Sequence, residues 1–284
     1  MKRMLILAMT VVMLCWLAAS GSVAAGKKPS LRWSKSWGWA LEEAWMRNCP
    51  IIVHLHDEAK NASKLIYRYY KEPAVIKRSR RAVNVPIITI GKDHPFEKQK
   101  DDKGKVIEIS KTFTGLAKSE LTTLVDKREE NKFLGDNPGD RPAFMCFRHD
   151  GTQENLIKGE ISIAQLVKFY DDAAKVVSST KIIPLEIYLA FSGERSLFLD
   201  RINEGEWFKA LAVVAKLRTT YVKYERFLVK IEDLADLINV KGFEQVDLAM
   251  DLEDITERKK ALKKVISDFP NTPAAERAAK LLRR

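Results

Sequence analysis

Residues 50–57, PIIVHLHD, combine a strongly apolar run with two histidines that alternate along one side. This alternation predicts a β-strand with one apolar face and one histidine-bearing face. Residues 82–91, AVNVPIITIG, predict a second strand that ends at Gly91. Between them, residues 62–70 place apolar side chains at steps of three and four, which predicts a helix. A helix that connects two neighbouring strands requires those strands to be parallel.

The segment after residue 142 predicts a hairpin followed by a helix. AFMCFRHDGTQENLIKG, residues 143–159, contains two strand candidates around Asp150-Gly151, a dipeptide that suits a tight turn. Ser162 and Gln165 then have the spacing of a capping box at a helix start. A helix rich in tryptophan precedes the first strand, over residues 31–50. This order of elements predicts an α/β sandwich with a mixed central sheet.

The character of the chain changes at residue 178, where SSTKIIP has the composition of a linker. Apolar residues then recur at helical spacing, and the pattern predicts stacked helical hairpins. One of these helices is expected to run from about Leu217 to near Gly242. We expect an α/β domain over residues 26–177, with an insertion at about 92–140, and an all-α domain over residues 178–284.

The first 25 residues have the composition of a secretory signal peptide. Lys2 and Arg3 precede an apolar run, residues 4–19, and a small-residue exit. We therefore expect an exported protein, periplasmic or secreted, with a mature start near Gly26; an uncleaved anchor is the alternative. The formal net charge of +11 is spread in short clusters, which favours solvated helix faces over a nucleic-acid site. Contact with an anionic membrane surface remains open.

Residues 33–176 resemble exported domains of the thioredoxin superfamily, in which a helix of the form W…EEAW…N-x-P precedes the first central strand. In that family a Cys-x-x-Cys pair opens the next helix, where the helix N-terminus stabilises a thiolate. Here the pair falls on Lys60 and Ser63, which cannot form a disulfide. The family's cis-proline falls on Pro142, which follows Arg141.

The resemblance implies a peptide-binding groove beside the lost cysteine pair. Its expected residues lie at the end of the first strand, at the start of the next helix and before the hairpin: Asp57, Glu58, Lys60, Asn61, Ser63, Arg141 and Pro142. The C-terminal part resembles tetratricopeptide-type repeats in fragments such as EGEWFKAL, residues 204–211. Since no clean period connects the fragments, a plain helical bundle is the alternative.

Two cysteines follow the predicted signal peptide. With Pro142 opposite roughly Asp57, Cys146 lies opposite roughly Val53, and Cys49 is then about 13 Å farther along the sheet. This separation exceeds what a disulfide allows, so we expect two separate buried thiols. Cys146 is the candidate for a single reactive thiol, although no activating base is adjacent in sequence.

Other chemistry has little support in the sequence. His54 and His56 share a strand face but supply only two ligands, so packing under a helix is favoured over a metal site. Trp33 and Trp39 are left as candidates for surface contacts. No Gly-x-Ser-x-Gly and no phosphate-binding loop is present, which argues against serine hydrolases and nucleotide enzymes. We expect no metal and no cofactor.

Two functional hypotheses follow. The first is a redox-inactive thioredoxin-like protein that binds a protein or peptide partner, or acts as a scaffold, in the cell envelope. The second is a thiol-disulfide oxidoreductase or isomerase that works through one cysteine. The first is preferred, because the expected cysteine positions hold Lys60 and Ser63.

Overall fold

A mixed four-stranded sheet forms the centre of residues 30–177, which we call the α/β region. In chain order its elements are α1 (Trp37–Arg47), β1 (Ile51–Asp57), α2 (Asn61–Tyr69), α3 (Pro73–Ser79), β2 (Val83–Thr89), β3 (Gln99–Lys100), β4 (Val106–Ile107), β5 (Ala143–Phe147), β6 (Gln153–Lys158) and α4 (Ile163–Val176). The structure is a computed structural model that describes residues 30–57, 61–89, 99–100, 106–107, 142–177 and 182–283. The predicted signal peptide and most of the predicted insertion lie outside these residues.

The strands are arranged in the order β2-β1-β5-β6. β1 is parallel to β2 and antiparallel to β5, and β5 is antiparallel to β6. Side chains of β1 alternate between the two faces of the sheet, as a strand requires. Ile52 packs against residues of α2 and α4, whereas Ile51, Val53 and Leu55 pack against α1. This arrangement is a thioredoxin-like α/β sandwich, as the sequence predicts.

The hairpin and the helix cap also form as predicted. Gly151 adopts a φ of 87°, a conformation that glycine takes without steric cost. The side chain of Ser162 accepts from the backbone of Gln165, and the Gln165 side chain accepts from the backbone of Ser162. These two hydrogen bonds fix the start of α4.

The register between β1 and β5 differs by one residue from the expected one. Cys146 lies opposite Ile52, not opposite Val53. The sequence predicts Pro142 opposite Asp57, whereas the pairing of Leu55 with Ala143 puts Asp57 one step beyond Pro142. Because strand side chains alternate with period two, this one-residue difference decides which face Cys146 occupies.

Residues 182–283 form a helical region. Its elements are α5 (Leu185–Asn203), α6 (Trp207–Thr220), α7 (Glu225–Met250), α8 (Ile255–Asp268) and α9 (Pro273–Leu282). Each helix packs against the next one along the chain, which agrees with predicted helical hairpins. Within the described residues, no helix combines the length and the apolar character that a membrane span needs.

The expected single helix that stops near Gly242 is wrong at both ends. The chain breaks between α6 and α7, where buried Tyr221 stacks on Phe227 with ring centroids 5.3 Å apart. α7 continues through Gly242, which is buried against α9. A Cβ at this position would lie 2.7 Å from the Cβ of Ala274. The glycine therefore permits close helix contact and does not end the helix.

Helix α1 connects the sheet to the helical region. Ala40 and Ala44 pack in the cluster under the sheet, whereas Met46 is fully buried in the core of the helical region. On its polar side, Glu42 pairs with Arg195 of α5 at 2.7 Å. The two regions therefore share one helix, and both cores depend on it.

Arg47, at the end of α1, is fully buried and binds both regions at once. Its guanidinium pairs with Glu43 at 2.7 Å and donates to the carbonyl oxygens of Arg80 and Ala82. Its Nε donates to the carbonyl oxygen of Ile183 at 3.3 Å, while the Ile183 amide donates to the Arg47 carbonyl at 2.8 Å. This buried cation fixes the first described residues of the helical region against the α/β region.

Candidate functional site

The predicted groove lies only partly within the described residues. Asp57 ends β1, Asn61 and Ser63 lie in the first turn of α2, and Pro142 directly precedes β5. Glu58, Lys60 and Arg141 lie outside the described residues. The end of β1 and the start of β5 meet at one edge of the sheet, since Leu55 pairs with Ala143. Pro142 is buried there, and its carbonyl accepts a hydrogen bond from the Gly159 amide at 2.8 Å.

A buried polar cluster that no sequence pattern predicts lies on the sheet next to this edge. We call it the His-Tyr network; its members are His54, His56, Tyr70, Asn84 and Tyr170. The Tyr70 hydroxyl lies 2.8 Å from His54 Nδ1 and 2.6 Å from His56 Nε2. His54 Nε2 lies 3.1 Å from the Tyr170 hydroxyl and 3.3 Å from Asn84 Oδ1.

The hydrogen bonds of Asn84 determine where the protons of the His-Tyr network lie. Its side-chain amide donates to the carbonyl oxygens of Ser79 and Arg32, so Oδ1 must face His54 and can only accept. His54 therefore carries its proton on Nε2, and its bare Nδ1 accepts from the Tyr70 hydroxyl. The Tyr70 oxygen then accepts from Nε2–H of His56, which makes Nδ1 the unprotonated nitrogen of that ring.

Burial keeps the whole network uncharged. Removal from water lowers the pKa of His54 to about 3, with a smaller opposing effect from its hydrogen bond to Asn84. Burial, together with neighbouring His54, also lowers the pKa of His56. The same removal from water raises the pKa of Tyr70 and of Tyr170. The imidazoles are therefore neutral at physiological pH, and the network is a set of neutral hydrogen bonds.

Trp33 packs against this network, so it does not provide the surface contact for which it was a candidate. It is 4% exposed and contacts His54 and Tyr70 edge-on, with centroid distances of 4.8 and 5.1 Å. The cause is a parallel bridge between Trp33 and Asn84 at the edge of the sheet. Trp39, in contrast, is 50% exposed, as expected.

Both described cysteines are free and buried, which confirms the expectation of two separate thiols. Cys49 packs in the cluster with Ile51 and Val53, and Cys146 packs in the cluster on the opposite face of the sheet. Burial raises the pKa of each thiol to about 12; nearby Glu154 adds to the effect at Cys146. A thiolate, the form that reacts, is therefore strongly disfavoured at both positions.

His56 packs under a helix, as expected, because its ring contacts Tyr67 of α2 with centroids 4.9 Å apart. Within the described ranges, no three side chains of His, Cys, Asp or Glu come together as a metal site would require. Sequence patterns do not identify Tyr70 and Tyr170 as site residues. Tyr70 directly follows α2, Tyr170 lies in α4, and both are buried against the sheet. A signal was present in the sequence: each of the two core-facing apolar patterns contains a tyrosine, and the first strand carries two histidines. A tyrosine hydroxyl can form a hydrogen bond with a histidine ring.

No protein-family model matches the chain, and no curated protein matches it. The solved structures similar to this chain include the following two. A thioredoxin from Thermus thermophilus has 18% identity and a TM-score of 0.33, over 53% of this chain and 92% of that one. A DsbH oxidoreductase has 16% identity and a TM-score of 0.33, over 56% of this chain and 97% of that one.

The fold is identified by its sheet order, by its register and by the helices on each face, and not by these two structures. The chain consists of a thioredoxin-like α/β region followed by a helical region.

Proposed function

We propose that this chain is an exported, redox-inactive thioredoxin-like protein that binds a protein or peptide partner, or acts as a scaffold, in the cell envelope. The proposed contact surface is the groove at the end of β1, which includes Asp57, Asn61, Ser63 and Pro142 together with its three predicted members outside the described residues. The export step is supported by the composition of residues 1–25. No nucleic-acid partner is proposed.

The placement of the thiols carries this proposal. A dithiol enzyme needs two sulfurs within bonding distance, with one of them available as a thiolate. Cys49 and Cys146 are buried on opposite faces of one sheet, and the pKa of each is raised to about 12. The positions that align with the redox pair, Lys60 and Ser63, carry no sulfur.

A thiol-accessibility measurement tests the redox part of the proposal. In the folded protein, both thiols should resist an aromatic disulfide reagent, and both should react once guanidinium unfolds the chain. The protein should also fail to accelerate insulin reduction by dithiothreitol. Turnover that disappears in Cys146→Ser but persists in Cys49→Ser would establish the single-cysteine enzyme and refute the scaffold.

A charge-reversal comparison tests the binding surface. Partners captured from envelope extract by the wild type should be lost in the Lys60→Glu/Arg141→Glu double variant. The matched control is Lys260→Glu/Lys263→Glu, which makes the same charge change on the exposed side of α8. Equal loss in both double variants would indicate a nonspecific charge effect, such as contact with an anionic membrane surface, and would refute the groove.

A further inference from the structure

An open cleft of about 590 Å³ lies where the end of α1 meets the helical region. Its volume is in the range of pockets that hold small organic ligands. The floor is aliphatic: Met46 comes from α1, and Ile182, Ile183 and Ile187 come from the start of the helical region. The cleft is distinct from the groove of the proposed function. It lies beside the residues that precede β1, whereas the groove lies at the end of β1.

The rim of the cleft is cationic. Lys223 and Arg226 line it, together with one acidic residue, Glu225, so the net charge of these three side chains is positive. Arg226 is held in place, because Nη1 donates to the Trp45 carbonyl at 2.5 Å and its guanidinium lies 5.7 Å from the centre of the Trp45 ring. Lys223 is exposed and is the cation that a ligand can recruit.

Two helices also begin at this rim. The N-cap residues of α5 and α7, Pro184 and Tyr224, both line the cleft, and neither makes a side-chain capping hydrogen bond. The first amides of a helix and its dipole favour a negative charge nearby. The acidic residue in the first turn of α5, Glu186, is paired with Arg80 at 3.2 Å. In the first turn of α7, Glu225 offsets the dipole of that helix. The start of α5 therefore adds to the positive field of Lys223 and Arg226, and the start of α7 does not.

We propose that this cleft binds an aliphatic carboxylate of fatty-acid class, with its chain on the isoleucine floor and its carboxylate at Lys223. The apolar floor favours an alkyl chain over a peptide. A peptide carries an N–H and a C=O at every residue, and burying these groups unpaired is costly. An alkyl chain brings no such groups, and it gains free energy in proportion to the apolar area that it buries.

Isothermal titration calorimetry with sodium decanoate, below the concentration at which it forms micelles, tests the proposal on the purified protein. The wild type should bind with a stoichiometry near one. Lys223→Glu replaces an attraction by a repulsion and should weaken binding about tenfold or more. Ile187→Trp fills the floor and should abolish binding. Lys260→Glu, on α8, is the matched charge control and should bind like the wild type.

Two further probes identify the ligand class. Decanol has the same chain without the charge and should bind at least tenfold more weakly than decanoate. A short peptide that ends in three leucines and a free carboxylate should not compete. Thermal unfolding of each variant separates loss of the site from loss of the fold. Absence of binding by wild type, binding that both cleft variants leave unchanged, or preference for the peptide would each overturn the proposal.

Discussion

Lowering the pH from 7 to 5 should destabilise this protein through its buried histidines. His54 has a pKa of about 3 in the folded protein and an ordinary value of 6.5 when exposed. Between these two values the unfolded chain binds a proton that the folded chain does not, so the free energy of unfolding falls as the pH falls. At about 1.4 kcal/mol per pKa unit, His54 alone accounts for a loss of about 2 kcal/mol between pH 7 and pH 5.

The pKa of His56 is lowered in the same direction, so it adds to the loss. Most carboxylates are still ionised at pH 5, and they contribute little in this interval.

Urea unfolding at pH 7 and at pH 5 measures the effect. The His54→Gln variant should be less stable at pH 7, but its loss between the two pH values should be about 2 kcal/mol smaller than that of the wild type. His149→Gln, in the hairpin turn, is the control that removes a histidine outside the network. If the wild type is equally stable at both pH values, or if His54→Gln loses as much as the wild type, the neutral His-Tyr network is refuted.

Two further substitutions test the packing between and within the regions. Arg47→Met should lower the free energy of unfolding in urea by about 3 to 5 kcal/mol, because it leaves the carboxylate of Glu43 buried with Arg32 as its remaining partner. Adding Glu43→Gln should recover part of this loss. Strict additivity of the losses from the two substitutions would contradict the buried pair. Gly242→Ala should lower stability by about 1 to 3 kcal/mol through overlap with Ala274 and with the Phe269 ring. Adding Ala274→Gly should relieve part of the loss, and a Gly242→Ala protein as stable as the wild type would rule out the close contact.

The sequence predicts the elements of the sheet because their signals are local. Residues 50–57 and 82–91 are apolar runs of strand length, and Asp150-Gly151 is a turn dipeptide between two such runs. The register of β1 against β5 has no local signal, since Asp57 and Pro142 are far apart in the chain. One residue of error in that register was enough to misplace the neighbour of Cys146.

The His-Tyr network could not be predicted from the sequence for a related reason. Its members come from β1, from the residue that follows α2, from β2 and from α4. The hydrogen bond between His54 and Tyr170 joins residues 116 positions apart. A buried histidine can be satisfied by many partners, and sequence spacing does not choose among them. The same holds for Arg47, whose position at a helix end suggests a solvated cation, whereas its partners at Arg80 and Ile183 bury it completely.

The sharing of α1 has a consequence for any attempt to divide the molecule. Met46 belongs by chain order to the N-terminal part, yet the helical region encloses it. Severing the backbone between residues 177 and 182 would therefore leave two fragments that stay associated, held by Met46, by Arg47 and by the Glu42–Arg195 ion pair. Either fragment produced alone would expose an apolar surface that its counterpart normally covers, and aggregation would be the result.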